Sequence, residues 1–410
     1  TRLHLEGRRL DLSAAAAPLK APLLASVSGT LEGDLALPGA PWQESRLDQV
    51  TLSAACTFSR ASQQAGRARI ELKGGLLRAD GVELDLPELG FRGHVAARVG
   101  ARAFRDLEAE GTLRTDAALV AGSLAAWKVT ELDMSGATTV EARAGWEPKG
   151  GWRVEGRVEV RDPRWHGAQA ELLTTEVRIR DQQLFLSQVD MTRAEGRATG
   201  ELWLSFQRRP EGQDEIDMCF QAFRLPVEEG LKAADLKPAE LKDGSARATE
   251  RDLPISGIAS ATVRIHGPYR QLHLRGTALA EACEVYGMTV PAFSGGLDYD
   301  IAGGRLDLQE LRVAESLEQL AHGEEAPRGL LALSGGLRMD LARKQWQGGL
   351  AGNLDSGALG LPGPRFQARV DARLEGPWTA PFASKELPEG SLRFERGRLF
   401  FGEQSIEGLE

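Results

Sequence analysis

The six histidines are the first side chains to consider for metal binding or acid–base chemistry. They form no His-Glu-x-x-His motif and no other pair at helical spacing, so their spacing does not predict a metal site. His266 and His273 flank a Gly-Pro-Tyr sequence and are placed to meet across a hairpin. Ordinary strand positions explain the histidines better than a metal centre does.

The thiol and hydroxyl side chains also lack a catalytic pattern. Cys56, Cys219 and Cys283 are scattered and form no Cys-x-x-Cys pair. Because this spacing is not typical of a zinc site or a disulfide framework, we expect small, buried, apolar side chains. The sequence has no Gly-x-Ser-x-Gly motif, and its double glycines lie between alternating segments rather than in phosphate-binding loops.

Carboxylates and tryptophans offer no clear active site either. The carboxylates alternate with apolar residues, which is typical of a solvated strand face: Glu83, Asp85, Glu108, Glu110, Glu155 and Glu159. No glycosidase pair can be chosen among them. Trp146, Trp152 and Trp165 would form either a sugar-stacking platform or rings packed in or along an apolar face, and we favour packing. The sequence therefore predicts no catalytic residue, no metal and no cofactor.

Composition and charge limit the class of protein. The chain has 410 residues, of which 42% are hydrophobic, and this is enough apolar content for a folded core. Its net charge of −9 is spread without a basic block, so we expect no nucleic-acid partner. The sequence contains no apolar run of about 18 residues and no recognisable targeting signal. We expect the chain to be a segment of a longer protein.

A short strand phrase recurs along the chain, with the form apolar, any, apolar, any, any, apolar, any, apolar. Its apolar positions are our candidate site residues: Leu77, Ala79, Val82 and Leu84; Trp127, Val129, Leu132 and Met134; Leu184, Leu186, Val189 and Met191; Leu306, Leu308, Leu311 and Val313; and Leu399 and Phe401 in a degraded copy that continues to Gln404 and Ile406. Repeated short strands without long helices between them predict a sheet that grows along one axis.

The step of three in the middle of this phrase carries structural information. Side chains in a strand alternate between faces, so the extra residue would send the second half to the opposite face. A β-bulge or a bend at that point keeps both halves on one face. Elsewhere the alternation is strict, as in Trp152-x-Val154-x-Gly156-x-Val158-x-Val160 with Arg and Glu between. We predict mostly antiparallel strands with one apolar and one charged face.

Turns, loops and units can also be read from the sequence. We predict turns at Gly74-Gly75, Gly150-Gly151, Gly295-Gly296, Gly303-Gly304, Gly335-Gly336 and Gly348-Gly349, and loops at residues 206–216 and 314–328. Two large units are predicted, residues 1–224 and residues 225–410. Each begins with a helix-prone stretch, near residues 13–25 and residues 226–243, and continues as strands.

The helical lead, the phrase SGTLEGDLALPG at residues 28–39 with its partner SGIASATVRIHG at residues 256–267, and the Gly-Pro-aromatic turns together resemble the AsmA/TamB superfamily. The resemblance is most specific over residues 253–313 and 375–410. It implies an all-β, elongated repeat of mostly antiparallel strands that forms a curved, U-shaped sheet, or β-taco, with an apolar groove and one or two short helices.

The same resemblance implies a function without a chemical step. Phospholipid acyl chains would move along the groove between the inner and outer membranes, and the candidate residues above would line it. The resemblance implies a periplasmic location, a parent protein anchored in the inner membrane, and an Omp85-type outer-membrane barrel as a partner of TamB-like members. Neither the anchor nor the barrel-binding region is recognisable in this sequence.

Two other functions stay open at this point. A structural scaffold, or an assembly element for outer-membrane proteins, would have a closed and dry β core. A carbohydrate-active β-solenoid would gather arginine, aspartate and tryptophan around one cleft. A shared trough wide enough to admit a hydrocarbon tail would favour the lipid conduit, whereas apolar side chains that interlock and leave no trough would exclude it.

Overall fold

The structure, a computed structural model, describes most of residues 2–409. The residues outside this description are 12–27, 38–48, 61–62, 100–103, 120–133, 148–150, 166–167, 208–209, 211–212, 228–254, 269–270, 286–287, 322–329, 341–342, 344, 362, 378–388 and 402–403, together with residues 1 and 410. The predicted helix near residues 13–25, almost all of the one near residues 226–243, and the phrase positions Trp127, Val129 and Leu132 lie outside the described residues.

The described residues form 23 strands and the short helix α1 (Leu317–Ala321). The strands are β1 (Arg2–Asp11), β2 (Ser28–Ala36), β3 (Thr51–Arg60), β4 (Gln63–Lys73), β5 (Leu76–Asp85), β6 (Leu89–Val99), β7 (Phe104–Asp116), β8 (Met134–Glu147), β9 (Gly151–Trp165), β10 (Ala168–Gln169), β11 (Leu172–Arg180), β12 (Gln183–Arg193), β13 (Gly196–Ser205), β14 (Ile216–Pro226), β15 (Ile255–Gly267), β16 (His273–Val285), β17 (Met288–Asp300), β18 (Arg305–Ala314), β19 (Ala332–Asp340), β20 (Gln345–Asp355), β21 (Phe366–Pro377), β22 (Glu389–Phe401) and β23 (Gln404–Leu409). The predicted all-β fold is confirmed.

Two compact units divide the chain. The first comprises Thr1–Trp165, Gln169–Met191 and Trp203–Gln207, and the second comprises His166–Ala168, Thr192–Leu202 and Arg208–Glu410. In the first unit β1 to β9 pair antiparallel in chain order, and β11 pairs with β9. In the second unit β14 to β23 pair antiparallel in chain order. The predicted boundary between residues 224 and 225 stays a prediction.

Each strand separates its side chains into two faces, as β9 shows. Val154 and Val158 are partly buried and Val160 is 1% exposed, whereas the intervening Arg153 and Glu155 are exposed. On the charged face, side chains of neighbouring strands pair, as in the 3.4 Å ion pair between Arg178 Nε and Glu155 Oε1. The ladder therefore has the predicted apolar and charged faces.

Bulges occur at the step of three. The residue before the third apolar position has positive φ in three copies of the phrase: 58° at Gly81, 52° at Gln188 and 50° at Glu310. The strand register shifts between Ala79 and Val82 in β5 and between Leu308 and Leu311 in β18. The bulge that the spacing predicts is therefore present in β5 and β18.

Four further strands carry the same device, which was not predicted for them. Asp162, Arg224, Ala282 and Arg396 have positive φ in β9, β14, β16 and β22, and the register shifts beside each of them. In the second unit β14, β16 and β18 are successive strands of one direction, so these bulges recur on alternate strands of the ladder.

The prediction that the degraded copy of the phrase forms a single strand was wrong. Phe401 and Gln404 are register partners across the hairpin between β22 and β23. The step of three there contains a chain reversal, and the bulge of this strand lies earlier, at Arg396. Gly397, the residue after that bulge, occupies the third apolar position of the phrase. Because glycine has no apolar side chain, the phrase is not recognisable there.

Three of the predicted double-glycine turns were also wrong. Gly74-Gly75 and Gly303-Gly304 form turns, but the pairs at residues 295–296, 335–336 and 348–349 lie inside β17, β19 and β20. A Cβ built on Gly335 would approach the Cα of Leu350 to 3.0 Å. Glycine is used there because neighbouring strands approach closely, and the same residue type serves turns and close approach.

Part of the predicted loop at residues 314–328 is the helix α1. The side chain of Gln319 accepts a hydrogen bond from the backbone N–H of Glu315 at 3.1 Å, which caps the helix start. Leu317 and Leu320 pack against Ala292 and Ala314, and Leu320 is 7% exposed. The apolar face of α1 therefore covers the ends of β17 and β18.

Deleting Glu310 is expected to remove the bulge in β18 and to turn Leu311 and Val313 toward the charged face. The free energy of unfolding should fall by about 2 kcal/mol or more, because apolar burial is lost. Glu310→Gly, which keeps the bulge and suits positive φ, should be neutral or stabilising by about 1 kcal/mol. Urea unfolding measures both, and a deletion variant as stable as the wild type would contradict the bulge assignment.

A buried carboxylate ends β20. Asp355 is 1% exposed, and its carboxylate accepts hydrogen bonds from Arg365 Nε at 3.0 Å and from Gln367 Nε2 at 2.8 Å. The backbone N–H of Gly357 donates to the same carboxylate at 2.9 Å. Burial alone raises the pKa of Asp355, but these hydrogen bonds outweigh it and lower the pKa to about 2.

This pKa predicts how stability depends on pH. Because this pKa is lower than that of the same carboxyl group in the unfolded chain, ionised Asp355 stabilises the fold above about pH 4 by roughly 2–3 kcal/mol, and this stabilisation is lost as the pH falls toward 2. Asp355→Asn should therefore destabilise strongly at pH 7 and much less at pH 2.5. Denaturant unfolding at both pH values measures the difference. A gap of equal size at both would disprove the assignment, and Asp298→Asn, at an exposed pair, is the control.

Candidate functional site

The apolar face of the second unit is the candidate site. Two rows of register partners on this face run from β14 to β21 and lie midway along the strands. We call them the central rows. The first contains Phe220, Val263, Gly276, Leu297, Leu308, Leu337, Gly348 and Leu374. The second contains Ala222, Ala261, Ala278, Gly295, Leu311, Gly335, Leu350 and Ala372. Neither row contains a polar side chain.

No residue of the central rows is buried, whereas each of the two rows nearer the strand ends contains three buried residues. Within the central rows, Leu350 is 37% exposed. The next row toward one strand end contains Leu274, Tyr299 and Met339, which are 7%, 7% and 5% exposed. The row toward the other end contains Ala280, Leu333 and Val370, which are 1%, 5% and 5% exposed. The accessible apolar strip is thus bordered by buried apolar residues on both sides, and we call it the trough.

The first unit has a comparable strip on β5 to β9. Its two midway rows are Ala79, Val95, Ala109, Ala144 and Val154, and Val82, Gly93, Gly111, Ala142 and Gly156. All ten residues are partly accessible. On β3 and β4 the corresponding Ala54, Cys56 and Ala68 are 4%, 2% and 7% exposed. The accessible strip of this unit therefore begins at β5.

At several glycines of the ladder, neighbouring strands approach each other closely on the apolar face. A Cβ built on Gly93 would overlap the carbonyl oxygen of Glu110 and approach the Cα of Gly111 to 2.8 Å. By contrast, a Cβ on Gly145, which lies on the charged face, would meet nothing closer than the Leu107 carbonyl oxygen at 3.8 Å. Neighbouring strands therefore converge on the apolar face, as expected for a ladder that curves toward it.

Some of the predicted site residues lie on the apolar faces of the two units. Leu77, Ala79, Val82, Leu84, Leu184, Leu186, Met191, Leu306, Leu308, Leu311, Val313 and Leu399 are partly buried, as is Met134 at the start of β8, and Val189 is 6% exposed. Leu308 and Leu311 lie in the central rows, whereas Leu306 and Val313 belong to the rows nearer the strand ends. Their contact with a ligand stays a prediction.

Sequence reasoning missed several central-row residues, including Phe220, Leu297, Leu337 and Leu374. The strands of Leu297, Leu337 and Leu374 show ordinary alternation, without the step of three that marked the candidates, whereas β14, which carries Phe220, has this step between Ala222 and Leu225. Alternation in β19, where Leu333, Leu337 and Met339 share a face, was the available signal, but two glycines interrupt it. Which of these leucines lies in a central row depends on strand register, and the register cannot be read from the sequence.

The aromatic, histidine and cysteine predictions have mixed outcomes. Trp146 and Trp152 are partly buried register partners on the apolar side of β8 and β9, while Trp165 is 39% exposed at the other end of β9. His266 and His273 do meet across the β15–β16 pair, with ring centroids 6.1 Å apart. Cys56 and Cys283 are buried as expected, Cys219 is partly buried, and burial raises the pKa of the Cys56 thiol.

The charged face of the second unit has a different chemistry. Arg264 Nε and Nη2 donate to the carboxylate of Asp217 at 2.9 and 2.8 Å, and these hydrogen bonds lower the pKa of Asp217. Beside the bulges lies an open depression of about 940 Å³, with Phe223 61% exposed and Leu279 38% exposed. Its lining is mixed: hydroxyl and charged side chains, including Arg312, lie beside the central-row residues Ala222, Ala261, Ala278 and Gly295.

Comparison with known proteins gives no family: no family model, no curated protein and no solved structure matches this chain. Among the described residues, no helix is both long and apolar enough to cross a bilayer. Within the same residues, no group of three or more histidine, cysteine or carboxylate side chains is arranged to hold a metal ion.

Adding a methyl group at Gly93 is expected to destabilise the first unit, because the new Cβ overlaps backbone atoms of β7 that cannot move freely. We expect Gly93→Ala to lower the free energy of unfolding by about 1–3 kcal/mol. Gly145→Ala, whose Cβ would enter open space on the charged face, should change it by less than about 0.5 kcal/mol. Denaturant unfolding of the two variants tests the predicted difference, and equal effects would argue against convergence on the apolar side.

Proposed function

We propose that this chain binds the acyl chains of phospholipids along its apolar face and conducts them without a chemical reaction. The observation that carries the proposal is the trough of the second unit, whose central rows are wholly apolar and contain no buried residue, while each flanking row contains three buried apolar residues. Apolar surface in this arrangement favours an apolar ligand, because contact with hydrocarbon removes both partners from water.

The energetics suit a conduit better than a storage site. Burial contributes about 0.8 kcal/mol per CH₂, so a fourteen-carbon chain gains roughly 11 kcal/mol relative to water. That gain is similar to the gain in a bilayer, so the trough holds the chain out of water without trapping it. Because neither central row has a hydrogen-bonding side chain, no specific polar contact has to break when the ligand moves.

The wider setting follows from the resemblance to the AsmA/TamB superfamily. We propose that the parent protein lies in the periplasm and carries phospholipids between the inner and outer membranes. An inner-membrane anchor and an Omp85-type barrel partner belong to the same proposal. The accessible central rows favour this function over a scaffold with a closed, dry core, because such a core would bury those rows.

Charged substitutions in a central row test the proposal. Leu308→Glu is expected to reduce uptake of a fluorescent phospholipid by delipidated protein about tenfold or more, because a carboxylate in contact with acyl chains is poorly solvated. Gln309→Glu is the matched control, since Gln309 is the next residue, is exposed and lies on the charged face. It should take up lipid like the wild type.

Circular dichroism of the β-sheet shows whether Leu308→Glu is folded. Equal uptake by folded Leu308→Glu, Gln309→Glu and wild type would refute lipid binding in the trough. Failure of delipidated wild-type protein to take up any phospholipid would refute the function itself.

A further inference from the structure

The connection between β20 and β21 covers one border of the trough. Within it, residues 356–361 form the segment that we call the latch. Ala358 and Leu359 of the latch pack against a buried cluster of Leu331, Leu333 and Val370. Leu333 and Val370 are each 5% exposed, whereas Leu350, one row toward the middle of the strands, is 37% exposed. The latch therefore lies where the accessible rows give way to buried ones.

Polar contacts at its base hold the latch in place. The carboxylate of Asp355 accepts hydrogen bonds from Arg365, Gln367 and the backbone N–H of Gly357. The backbone N–H of Phe366 donates to Ser356 Oγ at 2.8 Å. These groups clamp the two ends of the connection together where the strands begin to pair.

Besides hydrogen bonds within its own turn and to Asp355, the tip of the latch contacts the sheet at few points among the described residues. The Thr289 N–H of β17 donates to the Leu359 carbonyl oxygen at 3.0 Å, and the apolar contacts come from Ala358 and Leu359. The β20–β21 register runs from Gln345 opposite Pro377 to Asp355 opposite Gln367, and so excludes the latch. Lifting the tip therefore breaks no strand pairing.

We propose that the latch closes this border of the trough, and that release of the Asp355–Arg365 clamp opens the border to acyl chains. This inference rests on the proposed function. Closed, the latch keeps a bound chain in the central rows. Open, it adds Leu333 and Val370 to the surface that the chain contacts and provides a lateral exit at the strand ends.

The test is photo-cross-linking with a phospholipid that carries a diazirine at the end of one acyl chain. Peptide mass spectrometry locates the cross-links on the full chain. In the wild type we expect cross-links at central-row positions such as Leu297 and Leu337, and none at Leu333 or Val370. Arg365→Ala should add cross-links at the latter two.

Leu359→Ser is a second variant, which removes the apolar contact of the latch and leaves the clamp intact. It should produce the same new cross-links. Arg338→Ala, which breaks the Arg338–Asp307 pair on the charged face, is the matched control and should keep the wild-type pattern. Hydrogen exchange verifies release, since amides of the latch should exchange about tenfold faster in Arg365→Ala while β20 and β21 stay protected.

The outcomes separate the two proposals. Cross-links nowhere on the wild-type chain would refute lipid binding as a whole. Cross-links in the central rows that never extend to Leu333 and Val370, although the latch amides exchange faster, would refute the latch alone. Wild-type cross-links already present at those two positions would also refute it.

Discussion

Backbone pairing between neighbours along the chain is the constraint on which the rest of this structure depends. In each unit the described strands pair antiparallel, almost always with the strands before and after them. An interior strand thereby satisfies its N–H and C=O groups on both edges without a second sheet above it. The ladder does not need a closed core to hold its strands in register, which allows the middle of its apolar face to stay accessible.

Bulges allow the strands of this ladder to keep their apolar side chains on one face. On alternate strands of the second unit an extra residue is inserted, and that residue reverses the alternation beyond it. Placing the extra residue in the left-handed region costs free energy for Glu310 or Ala282, since neither is glycine. The hydrogen bonds on both sides of each bulge impose this conformation, and Leu308 and Leu311 then share a face.

Alternation and the step of three could be read from the sequence because each is a local pattern. In β9 the valines and charged residues alternate strictly, and in β18 the leucines on either side of Glu310 mark the bulge. Ala282 was not predicted, although the residues around it, Ala278-x-Ala280-x-x-Cys283-x-Val285, match the phrase. Gly335 was misread as a turn residue, since glycine is selected both by turns and by close strand approach.

Long-range structure was the other limit of sequence reasoning. The latch depends on Asp355 meeting Arg365 and Gln367 at the start of the next strand, after a connection that no periodic pattern describes. In the same way, Leu308 and Leu374 lie in one row although 66 residues separate them, because β19 and β20 intervene in a fixed register. Such proximity follows from the sum of several registers and is not a property of any single segment.

The repetition of the ladder bears on movement as well as on binding. Successive strands lie about 4.8 Å apart, so a chain lying along the central rows meets a new strand at each such step. Each step offers alanine, glycine or a larger apolar side chain and no polar group, so the contact free energy changes little from one strand to the next. A single deep pocket would instead create one minimum from which the ligand must escape. A face that is apolar, accessible and repetitive along one direction therefore suits transport along that direction.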